Sequence, residues 1–345
     1  MPSKRNDMNN EAVSTMTHGM LRIGTRGSGL ARAQTGMMAE RLRAAGLAVE
    51  VEVITTRGDT RGDQPVEALG EDGVFVRELE RALLEERVDL AVHSLKDLPT
   101  ADVPGLGIAC IPERASPFDA LVGRPGDTLE NLPAGVIVGT SSIRRAVQLK
   151  AIRPDLDVRP VRGNVDTRLA RLDRGDYRCL VLAAAGLARL GLEHRITCLL
   201  EPPTFWPAIG QGALGLQIRT DDEQTRLAIA VLDHPASHAA VVAERACLGA
   251  LAGGCLAPVG GWGRMTAAGT LVLGARVLES RRGGVSHVTA ERTVRLDGSH
   301  LAGSGSAVHN AAHELGRQVA ADLESQGAGA MLTRMRAEAH PSASG

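Results

Sequence analysis

The chain has 345 residues, of which 43% are hydrophobic and 23% charged, as in ordinary globular proteins of two or three domains. Its formal net charge is -1 and only 2% of its residues are aromatic. Nucleic-acid-binding proteins usually carry a basic surplus and stacking aromatic side chains. The composition therefore predicts no nucleic-acid partner.

The cysteines and the N-terminal segment indicate the compartment. The five cysteines form no CxxC pair and are odd in number, which disfavours both a disulfide framework and a structural zinc site. No apolar run is long enough to span a membrane, and residues 1–19 lack the apolar stretch of a signal peptide. We expect a cytoplasmic protein with no metal and no membrane partner, preceded by a disordered leader over 1–19.

A strand, a polar turn and a helix recur in this order from Leu21 to about Arg219. The predicted strands are LRIG, VEVEVITT, DLAVHS, VIVGT, DVRPVRG and RCLVLAAAG. An amphipathic helix is predicted over 77–88, and helix caps are predicted at Ser141 or Ser142 and at Asn164. This alternation predicts an α/β fold with mostly parallel or mixed sheets covered by helices.

The pattern of predicted elements changes after about His234. A helix (SHAAVVAERACLGAL), two strands (TLVLGARVL and VTAERTVRL) and a last helix over about 307–325 predict a small separate α+β domain. Proline-rich joints at 111–117 and 201–207 mark two further places where the chain passes between units.

Arginines recur just beyond the predicted strands, where open α/β sheets bind ligands. The set comprises Arg26, Arg144, Arg145, Arg162, Arg168 and Arg189, accompanied by Ser28, Thr140, Ser141, Ser142 and Thr167. The turns after these strands lead into helices, whose free N-terminal N–H groups favour anions. The planar guanidinium group of arginine can pair with a carboxylate or a phosphate through two N–H groups. Any single arginine could equally be a solvated helix residue, but the set predicts a shared anion pocket. Carboxylates are favoured because no GxxxxGK[ST] loop is present.

Two further segments carry reactive side chains. Lys96 and Asp97 end the segment VDLAVHSLKD, where Asp97 is either a counter-ion for the arginines or the group that handles protons and positive charge. His93 is expected to be a buried strand-end residue. Cys255 lies in a glycine-rich turn, LAGGCLAP, where a thiol is accessible as a nucleophile, although a loop cysteine alone is more often incidental.

The motifs together resemble the porphobilinogen deaminase family, also called hydroxymethylbilane synthases. In chain order they are RIGTRGSGLARAQ, TRGD (Thr56–Asp59), GVFVRELE, AVHSLKDLP, GTSSIRR, RGNVDTRL, LAAAGLARLGL, GQGAL (Gly210–Leu214) and GGCLAP. Each motif is short, but the complete set follows the family's order over about residues 21–260. The resemblance is therefore very specific.

The resemblance implies three domains, of which the first two are similar to the lobes of periplasmic binding proteins and enclose the active site. Domain 1 is expected over 20–112 and 212–233, and domain 2 over 113–211. A small α+β domain with the cofactor-attachment loop is expected over 234–338. The two proline-rich joints lie where the chain would cross between the first two domains.

The resemblance also implies a monomeric transferase of haem and chlorophyll biosynthesis that joins porphobilinogens head to tail, with loss of ammonia, into the linear tetrapyrrole hydroxymethylbilane. A dipyrromethane cofactor, linked to Cys255 by a thioether, would prime the chain. Asp97 matches the catalytic aspartate, which would assist amine loss, stabilise cationic pyrroles and move protons. The expected cofactor-binding residues are Cys255, Lys96, Asp97, Ser142, Arg144, Arg145, Arg162 and Arg168. The expected substrate-binding residues are Arg26, Ser28, Thr140, Ser141, Arg189 and Gln211.

The sequence departs from the family pattern in one segment. GEDG replaces the common GGKG, so Asp72 stands where lysine is usual, and Arg77 also stands where lysine is frequent. Asp72 removes a cation near the expected cleft and motivates the hypothesis of a catalytically altered relative. A non-catalytic anion-binding protein of the periplasmic type is the other alternative, which the missing signal peptide and the positions of Asp97 and Cys255 disfavour.

Overall fold

The computed structural model describes residues 19–54, 76–251, 257–281, 283–296 and 306–339. The leader up to residue 18, the TRGD motif, Asp72 and Cys255 lie outside the described residues, so the predictions for them are not examined by the fold.

The first sheet combines N-terminal strands with one strand from much later in the chain. Its strands are β1 (Leu21–Arg26), β2 (Val49–Ile54), β3 (Leu90–Ser94), β4 (Leu106–Cys110) and the late strand β10 (Leu214–Arg219). The order is β2-β1-β3-β10-β4, with β10 antiparallel to both neighbours and β1 parallel to β2 and β3. The helices α1 (Gly29–Ala44) and α2 (Arg77–Leu84) contribute to two separate apolar clusters of this lobe.

The second sheet is built from the residues between the two proline-rich joints. Its strands are β5 (Asp119–Val122), β6 (Ile137–Gly139), β7 (Asp157–Arg159), β8 (Cys179–Ala183) and β9 (Cys198–Leu200). The order is β7-β6-β8-β5-β9, with β5 antiparallel to both neighbours. Its helices are α3 (Ile143–Ile152), α4 (Val165–Asp173) and α5 (Ala184–Arg189).

The two sheets have the same topology. When the antiparallel strand is left out of the count, the second strand of each lobe lies at the edge, followed by the first and the third. The antiparallel strand separates the third from the last. In each lobe the antiparallel strand follows a segment that crosses between the lobes. Residues 111–118, the first crossing, precede β5, and residues 201–213, the second crossing, precede β10. The expected fold class of two α/β lobes with mixed sheets and helices is confirmed.

A third sheet follows the helix α6 (Glu223–Ile229), a 3-10 turn (Ala230–Leu232) and the helix α7 (Pro235–Ala250). Its antiparallel strands β11 (Val259–Met265), β12 (Thr270–Arg281) and β13 (Gly284–Arg295) lie in chain order. The helices α8 (Ser306–Ser325) and α9 (Ala328–Ala339) complete this unit. A Cβ on Gly316 would lie 2.3 Å from the Ala243 carbonyl oxygen, so α8 can approach α7 this closely only with glycine there.

Both crossings are attached to this third unit. Arg114, in the first crossing, forms an ion pair with the buried Glu244 of α7, with 2.6 Å between Nη1 and Oε1. Glu244 also accepts hydrogen bonds from the backbone N–H groups of Gly210, in the second crossing, and of Gly263 in β11. The ring of Phe118 lies edge-on to that of Trp262, with 5.2 Å between centroids. The small α+β unit therefore contacts both segments that connect the two lobes.

The structure refines several predicted boundaries. The helix expected over 77–88 ends at Leu84, and the helix after the sixth predicted strand begins at Ala184, before the expected LARLGL segment. The helices α6 and α9 and the strands β4, β5, β9, β10 and β11 were not predicted. None of the helices in the described ranges combines the length and apolar character that crossing a bilayer requires. The boundaries of the three domains stay a prediction.

Candidate active site

The turn between β6 and α3 is fixed by its own hydroxyl groups. Ser142 is the N-cap of α3, and its side chain accepts a hydrogen bond from the Arg145 N–H at 3.4 Å. Thr140 is buried and accepts from the Ser142 N–H at 3.2 Å. The Ser141 hydroxyl donates to the Val161 carbonyl oxygen at 2.6 Å and accepts from the Val161 N–H. Of the two serines proposed as cap, Ser142 is the one that caps the helix.

Arg144 and Arg145 share a carboxylate that the sequence did not single out. Asp119, fully buried at the start of β5, accepts from Arg144 Nη1 at 2.8 Å and from Arg145 Nε at 2.8 Å. Burial would raise the pKa of Asp119, but the two guanidinium charges outweigh it and hold that pKa below its usual value. The described counter-ion of these arginines is therefore Asp119 rather than Asp97.

Gln211 belongs to the same buried cluster. Its Nε2 donates to the Asp119 Oδ1 at 3.0 Å and to the Pro117 carbonyl oxygen at 2.7 Å, while its Oε1 accepts from Arg145. Gln211 lies in the second crossing and Pro117 in the first, so this amide joins the two crossings. Its expected role in substrate binding stays a prediction.

Arg162, Arg168 and Arg189 form a second group of cations in the same lobe. Arg168 donates from Nε to the Gly163 carbonyl oxygen at 2.8 Å, and Arg189 donates from Nη2 to the Gly212 carbonyl oxygen at 2.6 Å. Burial lowers the pKa of Arg168, and it lowers the pKa of Arg189 to about 10. Within the described ranges, none of the three guanidinium groups has a carboxylate within 4.0 Å.

The acid and the lysine come from the first lobe. β3 runs into a single 3-10 turn (Leu95–Asp97), which leaves Asp97 exposed and Lys96 partly buried. Burial lowers the pKa of Lys96 to about 8; Asp97 opposes this shift and the charge of Arg145 adds to it. Asp97 likewise affects the pKa of Arg168. Asp97 and Lys96 of the first lobe are thus electrostatically coupled to Arg145 and Arg168 of the second.

The remaining residues of the first lobe have local roles. Ser28 is the N-cap of α1 and accepts from the Ala31 N–H at 3.3 Å. Arg26 ends β1 and is partly buried. His93 is buried in β3, 3.0 Å from Gln217 Oε1, and burial lowers the pKa of its imidazole to about 4. The expectation that His93 is a buried strand-end residue is confirmed.

The four described cysteines are unreactive by environment. Cys110, Cys179 and Cys247 are buried, Cys198 is half-buried, and all four are unpaired thiols. Burial raises the pKa of each, to about 12 for Cys179 and Cys247, so none is a thiolate at neutral pH. Cys255 thus remains the candidate attachment residue, and its position lies outside the described part of the chain.

The comparisons with known proteins agree with this geometry. The sequence profile described as "Porphobilinogen deaminase, dipyromethane cofactor binding domain" matches residues 21–227. The chain belongs to the porphobilinogen deaminase family. Proteins named Porphobilinogen deaminase include that of Roseiflexus castenholzii, 55% identical over 70% of this chain and 80% of the relative. That of Acidothermus cellulolyticus is 48% identical over 93% and 94% of the two chains, and that of Thermus thermophilus is 43% identical over 91% and 98%.

Among solved structures, a putative methionine-binding lipoprotein from Bacillus subtilis is similar over 62% of this chain and 89% of its own, at 10% identity and a TM-score of 0.39. The two-lobed fold of the present chain follows from its strand orders. Family membership sets aside the alternative of a non-catalytic periplasmic-type binding protein.

The donor set of the cleft fits a dipyrromethane cofactor, whose pyrroles carry acetate and propionate groups. Three partly buried arginines have no carboxylate within 4.0 Å in the described ranges, and two more share the single carboxylate of Asp119. Buried cations in such excess favour an anionic ligand. No group of three or more His, Cys, Asp or Glu side chains suited to a metal occurs within the described residues.

The sequence could not identify Asp119. The segment PFDALVG is typical only of a short strand, and nothing in the sequence near Asp119 indicates which side chains it contacts. Only the antiparallel placement of β5 between β8 and β9 brings Asp119 to the arginines of α3.

Proposed function

We propose that the cleft between the lobes binds the carboxylates of porphobilinogen and of the growing pyrrole chain, with Asp97 as the catalytic acid–base group. As a member of its family, the protein is a transferase that polymerises porphobilinogen into hydroxymethylbilane with release of ammonia, and its cofactor is dipyrromethane. The observation that carries the proposal is one exposed carboxylate, Asp97, electrostatically coupled to Lys96 and Arg168.

Under this proposal the arginines of the second lobe are binding groups. Arg162, Arg168 and Arg189 would pair with acetate and propionate groups because they have no nearby carboxylate in the described ranges. Arg144, Arg145 and Lys96 would hold the cofactor, with Ser142 and the Thr140–Ser141 turn fixing the backbone around them. Arg26, Ser28 and Gln211 would complete the substrate side of the cleft.

Asp97 would act through its charge and its proton. Loss of ammonia from an aminomethylpyrrole leaves a cationic ring, which an adjacent carboxylate stabilises. A carboxyl group can also give a proton to the departing amine and accept one from the ring carbon that forms the new bond. The exposure of Asp97 keeps it within reach of a ligand, whereas the buried Asp119 is already engaged by two arginines.

The cofactor would be attached through Cys255. The cofactor would supply the pyrrole carbon at which chain growth begins, and Arg144, Arg145 and Lys96 would hold its carboxylates. The raised pKa values of Cys179, Cys198 and Cys247 disfavour attachment at those thiols.

The intact mass of the purified protein tests the attachment. We expect a covalent addition equal to dipyrromethane, retained in Cys198→Ser and lost in Cys255→Ser. Cys198 is the matched control because it is the least buried of the described cysteines. An unmodified mass from cells that make porphobilinogen, or an addition that survives Cys255→Ser, would contradict the proposal.

The protein would act as a monomer in the cytoplasm. The free, buried thiols of the described cysteines suit a reducing compartment. Light scattering of the holoenzyme should give a mass near 36.2 kDa, and a stable multiple of that value would contradict the monomer.

A further inference from the structure

We propose that Asp119 is a positioning residue for the polymerisation reaction: it fixes Arg144 and Arg145 as one rigid pair that presents charge to ligand carboxylates. This inference rests on the proposed function, since it names the residue that orients two of the proposed binding arginines. Asp119 itself is fully buried and is not expected to touch a ligand.

The hydrogen-bond geometry leaves the two arginines little freedom. Asp119 Oδ2 accepts from Arg144 Nη1 at 2.8 Å, and Oδ1 lies 2.8 Å from Arg145 Nε and 2.7 Å from its Nη2. Arg145 also donates from Nη1 to the Val181 carbonyl oxygen at 3.0 Å. Charge-assisted bonds of this kind are strong and directional. Asp119 therefore fixes the guanidinium plane of Arg145 and holds the Nη1 end of Arg144 before a ligand arrives.

The charge balance explains why one acid serves two arginines. Burying an unpaired charge is strongly unfavourable, so two buried guanidinium groups need at least one carboxylate. A second carboxylate would leave no net charge for a ligand. Within the described ranges, no acceptor takes a hydrogen bond from Nε or Nη2 of Arg144, whose bonds all come from Nη1. The cluster thus keeps one positive charge and an unused edge of Arg144.

Asp119 also links the arginines to both crossings. It is the first residue after the first crossing, and Gln211 of the second crossing donates to its Oδ1 at 3.0 Å. The Trp206 carbonyl oxygen, in the second crossing, accepts from Arg144 Nη1 and from Gln148 Nε2 of α3. The arginine pair is thus joined by hydrogen bonds to residues of both crossings.

The influence of Asp119 extends to the first lobe. The groups that affect the Lys96 amine are Asp97, Arg145, Asp119 and Arg144, and of these Asp97 and Asp119 raise its pKa. Removal of the Asp119 charge should therefore move the pKa of Lys96 further below about 8. This shift gives a readout that does not depend on turnover.

The test compares Asp119→Asn with Asp127→Asn. Asp127 is the matched control, because it is also a buried acid of the second lobe paired with an arginine, with 2.5 Å from Arg178 Nη2 to its Oδ1. It lies in the loop beyond the opposite end of β5. Rates are normalised to the fraction of protein that carries the cofactor, measured by intact mass.

For Asp119→Asn we expect KM for porphobilinogen to rise about tenfold with kcat little changed, since the lost orientation weakens charged hydrogen bonds made equally in ground and transition states. Asp127→Asn should leave KM within about twofold, even if both variants lose stability. Labelling of Lys96 with acetic anhydride across pH, followed by peptide mass spectrometry, should give a lower midpoint in Asp119→Asn alone.

If Asp119→Asn matches Asp127→Asn in both KM and the Lys96 midpoint, the inference is overturned. Should Asp119→Asn fail to fold, Gln211→Met decides, because it removes one bond to Asp119 and one to Arg145. It should raise KM by several-fold, and an unchanged KM would refute the positioning role. Absence of turnover and of cofactor in the unmodified protein would instead refute the proposed function.

Discussion

The two lobes share one strand order, but the segments that follow their equivalent strands β3 and β8 end in side chains of opposite charge. In the first lobe the third strand, β3, runs into a 3-10 turn that ends at the exposed acid Asp97. In the second lobe the equivalent strand, β8, runs into α5, which ends at Arg189. The first strand of each lobe leads to a serine-capped helix, at Ser28 and at Ser142. The backbone scaffold is therefore repeated, whereas the acid Asp97 belongs to one lobe and Arg189 to the other.

This difference gives the two similar lobes different expected roles, binding of carboxylates and acid–base catalysis. The second lobe supplies the larger share of the arginines and buries a single counter-ion, Asp119, among them. The first lobe supplies the acid that faces them. A growing chain of pyrroles needs many cations for its carboxylates and one acid where positive charge develops. The comparison predicts that loss of the first-lobe acid Asp97 affects kcat, and that loss of a second-lobe arginine affects KM.

The largest effect is expected for Asp97→Asn. The amide has the same shape but carries no charge and transfers no proton, so product formation at saturating porphobilinogen should fall about 10²- to 10⁴-fold. The intact mass should still include the cofactor, because the cations that hold it are intact. Turnover near that of the unmodified protein would mean that Asp97 is not the catalytic acid, and the contrast between the lobes would not hold.

A smaller effect is expected for Arg168→Gln. Loss of one charged partner of a carboxylate should raise KM about tenfold. Arg171 is the control on the same helix α4, because its Nε already pairs with Asp176 at 3.2 Å. Arg171→Gln should leave KM nearly unchanged, and equal effects of the two substitutions would mean that the helix, rather than the cleft-side cation, matters.

The pH dependence of KM should reveal Lys96. Burial lowers the pKa of Lys96 to about 8, so its amine is charged below that pH and neutral above it. KM should therefore rise as pH increases through about 8, and Lys96→Arg should flatten this rise because arginine stays charged. Because the folded-state pKa lies below the ordinary lysine value of 10.5, Lys96 makes stability increase with pH between those two values. A profile unchanged by Lys96→Arg would assign the pH dependence to another group.

The smallest effects should come from the equivalent caps. Ser28→Ala and Ser142→Ala each remove a side-chain acceptor from a helix N-terminus, at a cost of about 1 kcal/mol in free energy of unfolding. The two urea midpoints should fall by similar amounts. A much larger loss of activity in Ser142→Ala would point to contact with a ligand beyond its role as a cap.

Local features of this site were predictable from the sequence, while long-range pairings were not. The caps at Ser142 and Asn164, the burial of His93 and the arginines after the strands follow from short patterns. The insertion of β10 between β3 and β4 depends on a partner more than 100 residues away, and β9 is too short for periodicity to identify. Asp119 was missed for the same reason, since its partners come from other elements.

The division of labour between the lobes is tested most directly by one pair of saturation curves. Ammonia release is measured against porphobilinogen concentration for Asp97→Asn and Arg168→Gln, each normalised to cofactor-carrying protein. The account predicts a lower plateau with unchanged half-saturation for Asp97→Asn, and a shifted half-saturation with a nearly unchanged plateau for Arg168→Gln. Two curves that change in the same parameter would contradict it.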